Sequence, residues 1–207
     1  MTTLRSTILS SAVALLTFVA SPNARSGLDL TPAVNEYVAL GMKHRQVIFN
    51  YDKQKIEFEP PSDWKIDGSP NQVRLTPPQK RFAEALIAAT PQAKPQSLDE
   101  NGLKLLAQQA IAGLPVGSQF AKIDEELPNS VLIGGNPSFE ITVSYQSMGE
   151  KFRRSVWVVN LPDTQLIFRL TAKQDNFGTL HREFKTSIFS WHVIDQESAA
   201  TKEVAAQ

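Results

Sequence analysis

The clearest hydrophobic pattern lies between residues 139 and 170, where apolar and polar side chains alternate along three stretches. Such alternation is typical of β-strands with one buried side. Turn-forming sequences separate the stretches at residues 146–150 and 161–164. The pattern therefore predicts an antiparallel meander, with strands at residues 139–145, 152–159 and 166–170.

The first turn of this meander also predicts the register of its first two strands. If Gln146 pairs with Lys151, three apolar pairs fall on one side of the sheet. These pairs are Tyr145 with Phe152, Ile141 with Val156, and Phe139 with Val158. Trp157 and Val159 then lie on the other side, so the sheet needs a covering layer on both sides.

The register of the third strand has two alternatives. Pairing Val159 with Leu166 places Leu166, Phe168 and Leu170 on the side of Trp157, whereas a one-residue shift moves them to the side of Phe139. We expect the first, with Trp157 mostly buried, because a large apolar ring is costly to leave exposed beside Val159.

Two helices are predicted from apolar residues that recur every three or four positions. The first follows the capping sequence of residues 97–100, in which Ser97 is the expected N-cap, and it ends near Gly113 and Pro115.

The second helix has the strongest stripe of large apolar side chains, with Asp175 or Asn176 as its expected cap. The stripe consists of Phe177, Leu180, Phe184, Ile188 and Trp191. We expect Phe184 and Trp191 to be buried against the sheet.

Shorter elements are predicted where prolines cluster between residues 60 and 95, because prolines interrupt long helices. Residues 46–59 are predicted to form a hairpin with its turn at residues 51–54. Two short strands follow, one with Trp64 and Ile66 and one with Val73 and Leu75, split by residues 67–70. Residues 82–89 fit either a strand or a helix. Two more short strands are predicted at residues 120–124 and 130–133.

Residues 1–26 have the three-part pattern of a secretory signal peptide, with Arg5, an apolar stretch over residues 8–20, and small polar residues after it. The stretch is shorter than the roughly 20 residues that span a membrane, which disfavours an uncleaved anchor. Cleavage sites at residues 19–21 and 24–26 both remain open. We expect a secreted or periplasmic domain at residues 27–194 without stable membrane insertion, and a disordered tail at residues 195–207.

The composition excludes several classes of protein. A chain of 207 residues that is 42% hydrophobic is the size of one domain. Its 21 basic and 21 acidic residues cancel without a basic stripe, so nucleic-acid binding is not expected. The lack of cysteine excludes thiol catalysis, cysteine-ligated metals, disulfides and a lipid-modified N-terminal cysteine.

The order of elements resembles the PsbP-like family, which includes the extrinsic PsbP protein of photosystem II, the Ran-binding Mog proteins and bacterial DcrB-type periplasmic proteins. Residues 56–64, with a strand, a proline turn and Trp64, and residues 137–191, with the sheet centre and last helix, carry the resemblance. It implies an α+β fold, a central antiparallel sheet with helices packed on both faces, and a strand at residues 82–89. It does not specify a function, because family members do unrelated jobs. The chain lacks the lipidation cysteine of DcrB-type proteins.

The polar residues show no recognised catalytic or metal-binding motif. The three histidines, His44, His181 and His192, are expected at the surface, with the last two about 16 Å apart along one helix and unable to share a metal. For His44, beside Lys43 and Arg45, an anion contact is the alternative.

Three further polar sequences have structural explanations. Residues 134–136 are interpreted as a turn rather than an anion-binding nest. Residues 124–126 are interpreted as a solvated loop rather than a calcium site. Arg154 lies on an apolar side of the meander, so it must pair or extend to solvent. No catalytic residue, metal site or cofactor is therefore expected.

Trp64 is the candidate ligand-binding residue, because it follows a proline turn, whereas Trp157 and Trp191 fall at core positions. A signal peptide and a complete core favour a non-catalytic binding or accessory protein of the cell envelope, with an envelope protein as partner. A carrier of small or hydrophobic molecules is the alternative, with a cleft between the N-terminal hairpin and the main sheet, beside Trp64 and the proline-rich rim. A carboxylate-dependent hydrolase is the least favoured, and carboxylates with raised pKa would support it.

Overall fold

The computed structural model describes residues 27–52, 54–92 and 98–194, and that part of the chain contains eleven strands and two helices. The strands are β1 (Leu28–Ala39), β2 (Met42–Tyr51), β3 (Gln54–Phe58), β4 (Lys65–Ser69), β5 (Gln72–Thr76), β6 (Glu84–Pro91), β7 (Gln119–Ile133), β8 (Asn136–Ser147), β9 (Glu150–Asn160), β10 (Thr164–Lys173) and β11 (His192–Ile194). The helices are α1 (Glu100–Ala112) and α2 (Gln174–Ile188). The predicted signal peptide, the predicted tail and the predicted cap Ser97 lie outside the described residues.

The strands form two antiparallel sheets. The large sheet has seven strands in the order β4-β5-β6-β10-β9-β8-β7, and the small sheet has four in the order β1-β2-β3-β11. The predicted meander forms the β8-β9-β10 part of the large sheet. The predicted α+β class and central antiparallel sheet are confirmed.

The predicted register of the meander is confirmed at both turns. Gln146 pairs with Lys151, which aligns the three predicted apolar pairs of β8 and β9. Leu166 pairs with Val159, so that Phe168 lies opposite Trp157. Trp157 and Phe168 are both 0% exposed, as the first register predicted.

The larger core cluster lies between the large sheet, α2 and the small sheet. It contains Trp157 and Phe168 of the large sheet, Phe184 of α2, and Phe49 and Phe58 of the small sheet. Each large apolar side chain buried in this way contributes about 1.5–3 kcal/mol.

A second core cluster involves the other helix. Leu106, Ala107 and Ala110 of α1 pack with apolar residues of β8 and β9. Val158 belongs to this cluster, whereas its neighbours Trp157 and Val159 belong to the larger one, because successive side chains of a strand point to opposite faces.

The helix ends differ from the sequence predictions. Asp99 is the N-cap of α1 and its side chain accepts a hydrogen bond from the Gly102 amide. Lys173 is the N-cap residue of α2, without a side-chain cap, so the prediction of Asp175 or Asn176 was wrong. The helix ends at Ile188, and Trp191 lies beyond it.

Trp191 is nevertheless buried, with 2% of its surface exposed. Its ring contacts those of Phe49, Phe58 and Phe168 at centroid distances of 5.4, 5.8 and 5.1 Å. Phe184 is 0% exposed, so the predicted burial of both aromatic residues is confirmed.

Several strand boundaries also differ. Residues 82–89 contribute a strand, as predicted, but it begins at Glu84, and Phe82 lies in the preceding turn with φ of 63°. The two strands predicted before the meander are one irregular strand, β7, with Pro128 inside it. A proline is tolerated there because β7 is an edge strand. Strand β1 was not predicted.

Candidate functional site

An open groove with a volume of about 690 Å³ lies beside Trp64. We call it the Trp64 groove. Its walls are the exposed side of α2, residues 59–64 with Pro60 and Pro61, and residues 77–80 with Pro77 and Pro78. The prolines stiffen the two loops by fixing the backbone φ angle, so the groove has rigid walls on the side opposite α2.

Trp64 forms the base of this groove and does not project into it. Only 1% of its surface is exposed, and its ring stacks on Phe184 with a centroid distance of 6.2 Å. The indole N–H donates to Glu183 Oε2 at 3.3 Å, and Arg45 Nη1 donates to the Trp64 carbonyl at 2.9 Å. These contacts join the loop of residues 59–64 to α2. The candidate residue Trp64 therefore lines the groove as a largely buried anchor.

Ser190 lines the groove and links the end of α2 to the residue that follows β3. Its Oγ accepts a hydrogen bond from the Glu59 amide at 2.7 Å and donates to the Ser187 carbonyl at 2.7 Å. Because this serine satisfies a backbone group on each side, it fixes the distance between the two walls.

The charged side chains of the groove differ in their hydrogen bonding. Glu183 accepts from Trp64, and Glu59 accepts from the Tyr37 hydroxyl at 3.4 Å. Within the part of the chain that the structure describes, the ammonium of Lys80 and the guanidinium of Arg182 have no hydrogen-bond or ion-pair partner. As far as the described residues show, the groove therefore presents two cations without partners, one from each wall, beside two carboxylates whose donors are neutral.

A second polar feature, the Glu140 cluster, lies under the other flank of α2. Glu140 of β8 is 1% exposed, with His181 Nε2 at 2.6 Å from Oε1 and Lys185 Nζ at 2.8 Å from Oε2. Ser130 of β7 also donates to Glu140, and Ser155 Oγ donates to Oε1 at 3.3 Å. Four donors thus converge on one buried carboxylate.

The Glu140 cluster is arranged to keep its carboxylate ionised. Burial alone would raise the pKa of Glu140, but hydrogen bonds from His181, Lys185 and Ser130 lower that pKa to about 2. A general acid at neutral pH needs a raised pKa. The cluster therefore has the properties of a structural ion pair that holds α2 on β8, and not those of an acid catalyst.

The structure separates the two C-terminal histidines that the sequence placed on one helix. His181 is on α2, 23% exposed, and its ring stacks on Trp157 at 5.2 Å, so the expectation of a surface histidine was wrong. His192 is on β11, 53% exposed, with Nε2 at 3.0 Å from Glu57 Oε2. His44 stacks on Tyr37 at a centroid distance of 5.2 Å.

The remaining polar candidates have structural roles. The Gly134 amide donates to the Trp191 carbonyl at 3.0 Å, so residues 134 and 135 form the predicted turn. Asp124 lies in β7 and not in a loop, with Oδ2 at 3.3 Å from Arg153 Nε.

Arg154 is 6% exposed and pairs, as predicted. It donates to Thr171 Oγ1 at 2.9 Å and to the Gly113 carbonyl at 2.7 Å.

Among residues 27–52, 54–92 and 98–194, no group of three or more histidine, aspartate or glutamate side chains is placed to bind a metal ion. No helix in those ranges combines the length and the hydropathy required to cross a membrane.

No family model matches the chain, and no curated protein sequence matches it either. Solved structures do. The solution structure of cyanobacterial PsbP (CyanoP) from Synechocystis sp. PCC 6803 matches with a TM-score of 0.51 at 15% identity, over 78% of this chain and 93% of that one. The chain has the PsbP-like fold. At this identity the similarity concerns the fold alone.

Two other structures match this PsbP-like chain at lower TM-scores. LpqN of Mycobacterium tuberculosis, described as involved in cell envelope biogenesis, has a TM-score of 0.49 at 16% identity, over 79% of this chain and 91% of its own. Protein PA94 of unknown function from Pseudomonas aeruginosa has a TM-score of 0.41 at 16% identity, over 75% of this chain and 94% of its own.

Proposed function

We propose that this protein is an exported, non-catalytic binding protein of the cell envelope, and that the Trp64 groove holds its partner. The observation that carries the proposal is the groove itself, which has rigid proline walls and a buried tryptophan base. It also has two cations, Lys80 and Arg182, without a hydrogen-bond or ion-pair partner among the described residues. Unsatisfied charges inside a formed concavity are typical of a surface that receives a ligand. The pattern of a signal peptide at residues 1–26 supports export.

We also infer that the chain has the three layers of an α/β/α sandwich. The separate core clusters of α1 and α2 support this inference, since adjacent residues of β9 contribute to different clusters. In that arrangement α2 has one face on the large sheet and its opposite side in the groove. The groove thus lies on an element that the core holds firmly.

A carrier of small molecules is the second candidate function. A volume of about 690 Å³ falls within the range of small-ligand pockets, about 300–1,000 Å³. The buried ring of Trp64 favours the binding protein over the carrier, because the ring offers little surface for an apolar ligand to contact. A hydrolase has less support, since the pKa of the buried Glu140 is lowered.

Affinity purification from the native host with and without a blocked groove tests the proposal. Thr179 lines the groove, and Thr179→Trp would fill part of it. Gln108 is exposed on α1, and Gln108→Trp is the matched control. We expect wild type and the Gln108 variant to retain the same envelope protein, and the Thr179 variant to lose it. Equal recovery by all three proteins would contradict binding in the groove.

A further inference from the structure

We infer that the Trp64 groove takes an acidic, extended peptide segment of its partner. This inference rests on the proposed function and adds the chemistry of the ligand. The two carboxylates of the groove, Glu183 and Glu59, keep their charge but accept hydrogen bonds from the neutral Trp64 indole and Tyr37 hydroxyl. Lys80 and Arg182 have no hydrogen-bond or ion-pair partner within the described residues. An anionic ligand would satisfy these cations with charge-assisted hydrogen bonds.

The positive charge extends beyond the Lys80 end of the groove. Phe82 is 60% exposed and lies between two cations, with Arg81 at 5.4 Å and Lys173 Nζ at 5.3 Å from its ring centroid. Lys173 is paired with Glu150 at 2.8 Å, but Arg81 has no ion pair among the described residues. Among the described residues, Lys80 and Arg81 at this end and Arg182 on the α2 wall therefore have no carboxylate partner.

The shape of the groove favours an extended chain over a compact anion. The residues of α2 that line it include Asn176 and Thr186, which are about 15 Å apart along the helix axis. An extended peptide covers that distance with about five residues. The row of Asn176, Thr179 and Thr186 offers hydroxyl and amide groups that can both donate and accept, as a peptide backbone requires.

Other anionic polymers fit less well. Single-stranded nucleic acids bind by stacking successive bases on exposed aromatic side chains. In the groove Trp64 is covered, and the exposed Phe82 is not among the lining residues. A lipid needs a deep, enclosed channel for its acyl chain, whereas this groove is open. The peptide is therefore the occupant that matches both the charges and the length.

Fluorescence anisotropy with defined peptides tests the inference on the mature protein. The probe is a labelled octapeptide of alternating glutamate and alanine, and the matched probe has glutamine in place of glutamate. We expect the glutamate peptide to bind, with affinity that falls as salt is added, and the glutamine peptide to bind about tenfold more weakly, as expected when two ionic contacts are lost.

Matched charge variants locate the binding. The double variant Lys80→Gln, Arg182→Gln should bind the glutamate peptide about tenfold more weakly than wild type. The double variant Lys104→Gln, Lys151→Gln makes the same charge change elsewhere and should change the affinity at most about threefold. Circular dichroism checks that both variants are folded.

Three outcomes would overturn the inference. They are equal binding of the two peptides, equal effects of the two double variants, and tighter binding of phosphatidylglycerol vesicles than of the peptide. If the inference fails while Thr179→Trp still abolishes partner recovery, the groove remains the binding surface and only the acidic peptide is wrong. If Thr179→Trp also has no effect, the proposed function fails as well.

Discussion

The imidazole of His181 lies 2.6 Å from the carboxylate of Glu140, a side chain 41 residues away in sequence and 1% exposed. Lys185, one helical turn later, contacts the other carboxylate oxygen at 2.8 Å. The two contacts hold α2 over β8. They therefore hold in place the helix whose opposite side forms the Trp64 groove.

Stability should depend on Glu140 at acid pH. The pKa of Glu140 is lowered to about 2 in the folded protein, below its value in an unfolded chain. Its contribution is therefore complete above about pH 5 and is lost as the pH falls toward about 2. Urea denaturation across this range should show that Glu140→Gln flattens the loss of stability. Glu150→Gln, at an exposed ion pair, is the control. Identical pH profiles for both variants would contradict this role.

Phe184 should be a major contributor to the core. Its side chain is fully buried between Trp64 and Trp157, so Phe184→Ala should reduce the free energy of unfolding by about 3–5 kcal/mol. Phe189 follows the same helix but is 60% exposed, so Phe189→Ala should change the free energy of unfolding by about 0.5 kcal/mol or less. Chemical denaturation measures both. A loss below about 1 kcal/mol for Phe184→Ala would mean that α2 is peripheral.

The C-terminal histidines should be dispensable for binding but unequal in stability. His181→Gln keeps a donor for Glu140 but loses the ring stacked on Trp157, which should cost about 1 kcal/mol. His192→Gln, at a half-exposed ion pair, should cost less than about 1 kcal/mol. The double variant should remain folded and bind its partner. Tight zinc binding by wild type in isothermal titration, abolished in the double variant, would show that these histidines are ligands after all.

Export should leave a processed chain. The pattern of residues 1–26 predicts cleavage between Ala20 and Gly27 and a soluble mature form in the envelope. N-terminal sequencing of the protein purified from its host measures this directly. Met1 retained on a membrane-bound protein would show that the segment is an anchor.

The centre of the large sheet was predictable because side-chain alternation and turn length together determine the register. Gln146 and Lys151 flank a short turn, and pairing them aligns three apolar residues of β8 with apolar residues of β9, namely Phe139 with Val158, Ile141 with Val156 and Tyr145 with Phe152. Strand β1 escaped prediction because its alternation ends after Leu30 and its pairing with β2 shifts register before Ala33.

The sites were less predictable than the sheet, because they join distant residues. The proline turn indicated Trp64 as a candidate ligand-binding residue, and Trp64 lines the groove. The α2 wall could not be identified, since Arg182 and Glu183 read as ordinary exposed positions of an amphipathic helix. The spacing of His181 and Lys185 places them on one helix face, but nothing local connects them to Glu140.

Photo-crosslinking inside the native host tests the groove most directly. A photoreactive amino acid at Thr186, in the groove, is compared with one at Gln108 on α1. We predict that the Thr186 position forms a defined adduct with an envelope protein, and that Thr179→Trp in the same chain abolishes it, while the Gln108 position forms none. Adducts of equal yield from both positions, or an adduct from Gln108 alone, would contradict the assignment of the groove as the binding surface.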